Sequence, residues 1–320
     1  MTAARSYLLA VLLLCVLGIA AARVYAQQQD IPGGLAAALL PALLIECALY
    51  LALAFPEVRD RLPLSLTALS GAAVYLLYSL PGGVFRPLSL AALAAGGFLA
   101  VYWFRWFGRS RLTDLLFLAV MAAPLAARFF PHLYAPPHEN LRLDILGQLF
   151  WIRAGLTAVL RTRPQAGIGF GFWPRAREWR VGALVFAAAL PVIAFASPAL
   201  GFARFGPPDW PWWKLSAVGA GTFCGILWVT ALSEEFFFRG LLQQWLEEWT
   251  GSPRCALIGA SLAFGSVHLG FRQFPNWAFV ALAALMGVAY GLAFRYGGGI
   301  RAAMVAHALT VATWKTLFRG

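Results

Sequence analysis

Charged side chains are scarce in this sequence. Only 12% of the 320 residues are Asp, Glu, Lys or Arg, whereas 61% are apolar. Soluble domains carry about 25% charged residues, so this composition excludes an ordinary soluble fold. The net charge is +12, but the arginines are dispersed through short loops and form no dense basic run. This distribution indicates membrane topology, and we expect no nucleic-acid partner.

Cysteine is also rare, and no C-x-x-C pair occurs. The four cysteines stand singly in apolar stretches: Cys15, Cys47, Cys224 and Cys255. Such spacing supplies neither a disulfide framework nor a thiolate metal site, so we interpret them as small buried apolar residues. Of the four histidines, His132 and His138 lie in a Pro-rich loop and are expected to be solvated. His268 and His307 lie in apolar stretches and remain candidates for chemistry.

Long apolar runs are what the sequence has in abundance. Their length suits a hydrocarbon core of about 30 Å. Six runs lie in the first half, at about 6–22, 35–55, 62–80, 88–107, 112–130 and 143–160. Five follow, at about 181–200, 212–248, 255–270, 277–294 and 300–317. We predict an all-α polytopic membrane bundle of about 10 to 11 transmembrane helices. The run with Asp144 and Arg153 is either packed inside the bundle or re-entrant.

The stretch between Arg161 and Arg180 is the most loop-like, because it is rich in Gly, Pro and Arg. We place a domain boundary there, between an N-terminal transmembrane module of unknown role, 1–165, and a C-terminal core, 166–320. The arginine distribution predicts a cytoplasmic N-terminus. The bias toward Ala, Arg, Gly, Leu and Pro is compatible with a bacterial source, so we expect the inner membrane of a bacterium. The first run is either an uncleaved helix or a signal peptide ending at Ala26.

The most specific feature is Ser233-Glu-Glu-Phe-Phe-Phe-Arg-Gly240, which sets charges inside an apolar run. Charges within a span are costly and usually functional. On a helix Glu235 and Arg239 share a face, with the acid before the base. Glu234 lies about 100° away, so one arginine cannot easily neutralise both carboxylates. We interpret Glu234 as the working acid and Glu235 as the partner of Arg239.

Counting from the predicted turn at Gly251 tests which polar residues lie at one depth. Glu234 and His268 are each 17 residues from Gly251, about 25 Å along their helices. His307 is 9 residues past Gly298, about 13 Å in. The count predicts that Glu234 meets His268 while His307 approaches from a shallower level. All three would share a polar cavity open toward the cytoplasm.

A carboxylate beside an imidazole in a low-dielectric cavity suits general-base activation of water. A second imidazole could stabilise the oxyanion of a tetrahedral intermediate, so acyl-bond hydrolysis is the expected reaction class. Two histidines and a glutamate are also a possible zinc set. H-E-x-x-H is absent and the predicted depths are uneven, so we expect no cofactor and keep zinc as the alternative.

These residues resemble the CPBP (Abi, or type II CAAX prenyl endopeptidase-like) family of intramembrane proteases. Its first motif, E-E-x-x-x-R, is matched by Glu234, Glu235 and Arg239. Its second, F-x-x-x-H, is matched by Phe264 and His268. In the third, a histidine precedes Asn or Asp by four residues: His307 matches, but Val311 stands at the amide or acid position and Thr310 precedes it. The resemblance covers about 168–318.

The resemblance implies an endopeptidase acting on a membrane-tethered protein, either a C-terminal sorting or anchor segment or a lipidated tail. It implies that Glu234 and His268 activate water, that Glu235 and Arg239 hold the site, and that His307 serves the oxyanion. The family has been described with both glutamate-type and metal-dependent members. Two other classes stay open: a non-catalytic immunity or scaffold protein, which Val311 favours, and a transporter that relays protons.

Overall fold

A computed structural model describes residues 3–165 and 167–319. The chain divides into two compact units, Met1–Gln165 and Ala166–Gly320. Within the described residues, regular structure is helical apart from two strands of two residues each. The predicted all-α bundle is confirmed.

The first unit consists of six longer helices and two short ones. They are α1 Ala3–Gln28, α2 Gly33–Ala52, α3 Pro56–Arg59, α4 Leu64–Ser79, α5 Pro87–Phe107, α6 Arg111–Ala126, α7 Phe129–Leu133 and α8 Ile145–Thr162. Proline opens α3 and α5, where its missing N–H needs no partner. Ser110 caps α6 in a reciprocal box with Thr113.

Helix α8 lies inside the first unit and carries its central ion pair. Arg153 binds Glu46 of α2 through two parallel hydrogen bonds, each 2.9 Å long. Its third donor reaches the Ser70 hydroxyl of α4 at 2.8 Å. Arg153 is 2% exposed and Glu46 is 0% exposed, so the charged residue of this run is packed inside the bundle, as the first alternative predicted.

The second unit contains the three motifs. Its elements are α9 Ala176–Ala199, β1 Arg204–Phe205, a continuous helix over Trp212–Thr250, α13 Pro253–Ser266, α14 Trp277–Gly297, α15 Ile300–Leu317 and β2 Phe318–Arg319. The two strands pair antiparallel, which joins the end of α15 to the segment that follows α9.

The continuous helix is not α-helical throughout. Its α segments are α10 Trp212–Gly225, α11 Leu232–Glu235 and α12 Gln244–Thr250, separated by π segments at Ile226–Ala231 and Phe236–Gln243. Both glutamates of the first motif therefore lie in a short α segment with π turns on either side. Such π turns are frequent at functional sites.

Turn chemistry accounts for the hairpins around this helix. Gly251 ends α12 with φ of 66°, in the left-handed region that glycine adopts without strain. Ser252 then caps α13 by accepting from the Cys255 amide. Asn276 caps α14 in the same way through Phe279, and Gly298 ends it with φ of 84°. The chain thus folds α12, α13, α14 and α15 back and forth.

Among the described residues, six helices are long and apolar enough to cross a membrane by length and composition. They are Ala3–Gln28, Gly33–Ala52, Pro87–Phe107, Ala176–Ala199, Trp212–Thr250 and Trp277–Gly297. On α1, Leu8, Leu12 and Val16 are all at least 60% exposed, as expected of side chains that face lipid. The protein is a multi-pass membrane protein, and a total of 10 to 11 spans stays a prediction.

Candidate active site

The predicted contact between Glu235 and Arg239 is present and fully buried. One guanidinium nitrogen of Arg239 lies 3.1 Å from Glu235 Oε1, and both side chains are 0% exposed. Two atoms of this pair, Glu235 Oε2 and Arg239 Nε, have no hydrogen-bond partner among the described residues. The pair is therefore only half satisfied, which is costly in a low-dielectric interior.

Helices α13 and α14 hold the arginine from two further sides. Arg239 donates to the Gly287 carbonyl of α14 at 3.0 Å. The guanidinium carbon lies 4.5 Å from the ring centroid of Phe264, the aromatic residue of the second motif. This cation–π contact stabilises the buried charge, so Phe264 supports the arginine as well as preceding His268.

His307 of α15 completes the buried cluster. Its Nδ1 lies 2.7 Å from Glu235 Oε1, the oxygen that also accepts from Arg239. The imidazole stacks on the Tyr290 ring of α14, with centroids 4.7 Å apart and planes 8° from parallel. A carboxylate on Nδ1 and a ring against its face fix the orientation of an imidazole and leave Nε2 for chemistry.

Glu234 also approaches His307. Its Oε2 lies 3.9 Å from Nε2 of the imidazole, and its side chain is 31% exposed. On an ideal helix Glu234 and Glu235 point about 100° apart. In the structure both glutamates nevertheless lie next to the His307 imidazole. The 3.9 Å spacing is too long for a direct hydrogen bond and leaves room for a third group to bind both.

The predicted direct contact between Glu234 and His268 is wrong, because within the described residues the imidazole within 4 Å of Glu234 is that of His307. The π segment that follows Glu235 contributes to this difference. A π turn holds more residues than an α turn, so the chain advances less per residue. Glu234 and Glu235 therefore lie nearer to the level of His307 than an α-helical count from Gly251 gives.

His268 lies just beyond α13 rather than inside it, because that helix ends at Ser266. Its Nδ1 is 2.7 Å from the Phe264 carbonyl oxygen, and its ring packs against Phe264 and Phe279. A carbonyl can only accept, so Nδ1 carries the hydrogen and the neutral imidazole presents Nε2 as an acceptor. His268 is thus a second oriented imidazole.

One cavity of about 90 Å³ brings the two histidines together. Residues of the motifs or their neighbours in its wall are Phe264, His268, Tyr290, His307, Thr310 and Val311. The wall also includes Ser197 near the end of α9, Phe279 near the start of α14 and Trp314 near the end of α15. The cavity therefore lies toward the end of the second unit that is opposite to the Gly251 and Gly298 turns.

This position conflicts with the predicted sidedness. The arginine distribution places Gly251 and Gly298 on the cytoplasmic side, yet the cavity lies toward the other end of the same helices. The expectation of cytoplasmic turns and that of a cavity open to the cytoplasm cannot both hold. Glu234 is not among the residues that line the cavity, so the predicted shared cavity holds the two histidines without the glutamate.

Val311 lines the cavity at the position where the family motif has an amide or acid. Thr310 lines it as well, although an ideal helix places the two about 100° apart. The Thr310 hydroxyl donates to the Ala306 carbonyl at 2.8 Å. A hydroxyl is therefore available beside the apolar substitution.

The candidate donors do not form a metal centre in this conformation. Among the described residues, no group of three or more His, Cys, Asp and Glu side chains has the arrangement of a metal site. Glu235 and the Nδ1 of His307 are committed to each other. The zinc alternative does not fit this arrangement, so we route no step through a metal.

Two contributors, Tyr290 and Gly287, carried no motif in the sequence. Tyr290 fixes the His307 ring, and Gly287 supplies the carbonyl for Arg239. A Cβ on Gly287 would lie 2.9 Å from Ser261, so glycine permits this close approach of α13 and α14. The sequence signal that could have indicated them is a tyrosine three residues after one glycine and directly before another in apolar α14.

The fold and this cluster together define a multi-pass membrane protein with a buried acid–imidazole site. Residues 216–313 match the family model described as Type II CAAX prenyl endopeptidase Rce1-like. The matched segment contains all three motifs, so the resemblance of this segment to type II CAAX prenyl endopeptidases is confirmed. No curated protein and no solved structure matches the chain significantly.

Proposed function

We propose that this protein is an intramembrane endopeptidase that hydrolyses a peptide bond in a membrane-tethered protein. The substrate class is a C-terminal sorting or anchor segment or a lipidated tail. The observation that carries the proposal is His307, held 2.7 Å from Glu235 with Glu234 3.9 Å from its other nitrogen. A buried imidazole oriented by one acid and open toward a second acid is an arrangement for general acid–base work.

The residues divide into those that orient and those that react. Arg239 balances the charge of Glu235, and Glu235 fixes the tautomer of His307. Glu234, the more exposed acid, is the general base. A water molecule between Glu234 and His307 transfers one proton to the Glu234 carboxylate. At the same time the oxygen of this water forms a bond to the scissile carbonyl carbon.

Collapse of the tetrahedral intermediate then breaks the bond between carbon and the amide nitrogen. Glu234 returns the proton to that nitrogen, so the products are a carboxylic acid and an amine, with no redox change. His268, on the same cavity wall as His307, assists at its Nε2, by accepting a proton or, once protonated, by donating to the oxyanion. Thr310 replaces the amide of the family motif as the nearby polar group.

The proposed location is the bacterial inner membrane with the N-terminus in the cytoplasm. The 200–211 and 267–276 connections lie at the same end of the second unit as the cavity. In the proposed orientation this end faces away from the cytoplasm. Cleavage then takes place toward the outer face of the bilayer, in contrast to the cytoplasmic cleavage that residue counting predicts.

A membrane-proteome comparison tests the proposal. Cells that express the wild type or Glu234→Gln are compared by mass spectrometry for shifted C-termini and new N-termini. We expect at least one membrane protein to be processed only with the wild type, with cleavage at its outer-face end and with no effect of EDTA. Because general acid–base catalysis contributes about 10²- to 10⁴-fold, the variant should leave at most about 1% of the processing.

Identical termini in both strains, at equal protein levels, would contradict the endopeptidase function and favour a scaffold that uses the same fold. A cleavage point at the cytoplasmic end would retain the function and contradict the orientation. Ser233→Ala is the matched control, because its hydroxyl donates to the Thr230 carbonyl of its own helix at 3.0 Å.

A further inference from the structure

Arg272 lies on the connection between α13 and α14, four residues after His268. Its guanidinium carbon lies 5.3 Å from the ring centroids of Phe202 and Trp314 and 5.4 Å from that of Phe271. Three aromatic rings thus surround an exposed cation. Its φ of 62° is in the left-handed region, which is uncommon for a residue other than Gly, Asn or Asp.

The rings that hold Arg272 belong to the candidate active site. Phe202 and Trp314 are in the wall of the cavity that also contains His268 and His307. Phe202 stacks on Phe279 at 4.6 Å, and Phe279 contacts the His268 ring at 5.0 Å. Phe202 and Phe279 therefore connect Arg272 to the imidazole of His268, a candidate catalytic residue.

Arg272 has no carboxylate within 4 Å in the described part of the chain. Four other exposed cations are at the same end of the unit and also lack an acidic partner there: Arg204, Lys214, Lys315 and Arg319. The one acidic residue in the segments that form this end is Asp209. These cations form a basic rim at the end of the unit where the apolar cavity lies, and such a rim attracts a negatively charged ligand.

We propose that Arg272 binds a carboxylate of the peptide substrate within a few residues of the scissile bond. The proposal deepens the endopeptidase function and rests on it for the identity of the ligand. A guanidinium offers a planar pair of donors that matches a carboxylate, and the surrounding rings pre-orient its plane. Either the C-terminal carboxylate or an acidic side chain of the substrate supplies this chemistry.

A peptide carboxylate fits better than a lipid phosphate because of where Arg272 is held. Cations that serve a lipid surface extend outward, and Lys315 at this rim is exposed without a ring contact in the described part of the chain. Arg272 is instead drawn onto the rings of the cavity wall that contains both histidines. Its ligand is thereby positioned relative to the reacting groups, which makes Arg272 a residue that determines specificity.

Binding to the full-length Glu234→Gln protein tests this without turnover. The probes are fluorescent peptides with an apolar anchor helix and a ten-residue tail. In one pair the tail ends in a carboxylate or a carboxamide, and in a second pair it contains one Glu or Gln. Fluorescence anisotropy is measured in neutral detergent and in vesicles of phosphatidylcholine with or without phosphatidylglycerol.

A charge-assisted pair leads us to expect that the carboxylate peptide binds about 10- to 100-fold more tightly than its neutral partner. Arg272→Gln should abolish that preference, and Arg272→Lys should retain part of it. Arg204→Gln, at the same rim, should change the preference by less than about twofold, because Arg204 is not held by the rings that orient Arg272. The peptide pair that shows the preference identifies which carboxylate is bound.

Three results would overturn the proposal: no carboxylate preference with Arg272 intact, a preference that survives Arg272→Gln, or an effect that follows phosphatidylglycerol rather than the peptide. The last would assign Arg272 to the lipid surface. The assay measures binding alone. A wild type without protease activity would therefore refute the endopeptidase function, but it would not decide whether Arg272 binds a carboxylate.

Discussion

Both units of the protein bury an ion pair between a glutamate and an arginine, but the two pairs are built differently. In the first unit Arg153 makes two parallel 2.9 Å bonds to Glu46 and a third to Ser70. In the second unit Arg239 makes one 3.1 Å contact with Glu235, whose same oxygen also binds His307. Each is almost or entirely inaccessible to solvent.

The difference is the one we expect between a structural pair and the reactive pair that we propose. The cavity beside Arg153 is about 20 Å³, space for about one water, whereas the cavity beside His307 is about 90 Å³. Glu46 has no imidazole partner in the described chain, while Glu235 shares its charge with one. Unused hydrogen-bonding capacity at Glu235 and Arg239 marks the cluster whose groups are arranged for chemistry.

Replacing each pair by apolar residues should give the largest difference between the units. Replacing a buried ion pair by well-packed apolar residues is often neutral in stability, while removing one partner costs about 3–5 kcal/mol. We expect Glu46→Leu with Arg153→Met to retain both unfolding temperature and cleavage. Glu235→Leu with Arg239→Met should fold but lose more than about 10²-fold in cleavage, because His307 loses its orientation.

Unfolding temperature in detergent and cleavage of the identified substrate are the two measurements. The single variants Arg153→Met and Arg239→Met are the controls, and both should be destabilised. Equal loss of cleavage in the two double variants would show that the second pair has only the structural role of the first.

The sequence predicted the parts of this comparison that depend on local helical geometry. The four-residue spacing of Glu235 and Arg239 and the packing of Arg153 inside its unit are present as expected. The motifs and the predicted fold class are likewise supported by the family match at 216–313. Spacing along one helix is set by the chain itself, so it can be read without tertiary information.

The arrangement of the histidines could not be predicted in the same way. The π segment at Phe236–Gln243 shifts both glutamates along the helix axis. Its sequence could equally form an apolar α-helix, so the π geometry could not be predicted. The end of α13 at Ser266 moves His268 out of its helix. The stacking of Tyr290 on His307 depends on how α14 and α15 pack, which no periodicity encodes.

A smaller effect is expected at Val311. Val311→Asn restores the polar group of the family motif to the cavity wall that contains Thr310. If oxyanion stabilisation is incomplete in the wild type, the variant should raise kcat by about threefold to tenfold, less than the removal of a full oxyanion donor costs. Val311→Thr, with a similar shape and a hydroxyl, is the control, and its kcat should lie between those of the wild type and Val311→Asn. Loss of cleavage with retained unfolding temperature would show that an apolar wall is required there.

The central claim is that Glu234 works with His307, which Glu235 orients, rather than with His268. A double-mutant cycle on cleavage rate tests it most directly, with Glu234→Gln, His307→Gln and His268→Gln alone and in pairs. Residues that act as a unit give losses that are far from additive. The structure predicts that His307→Gln adds less than about threefold to the loss in Glu234→Gln, while His268→Gln adds most of its own effect. Multiplicative losses for Glu234 and His307, with strong coupling to His268 instead, would contradict the account.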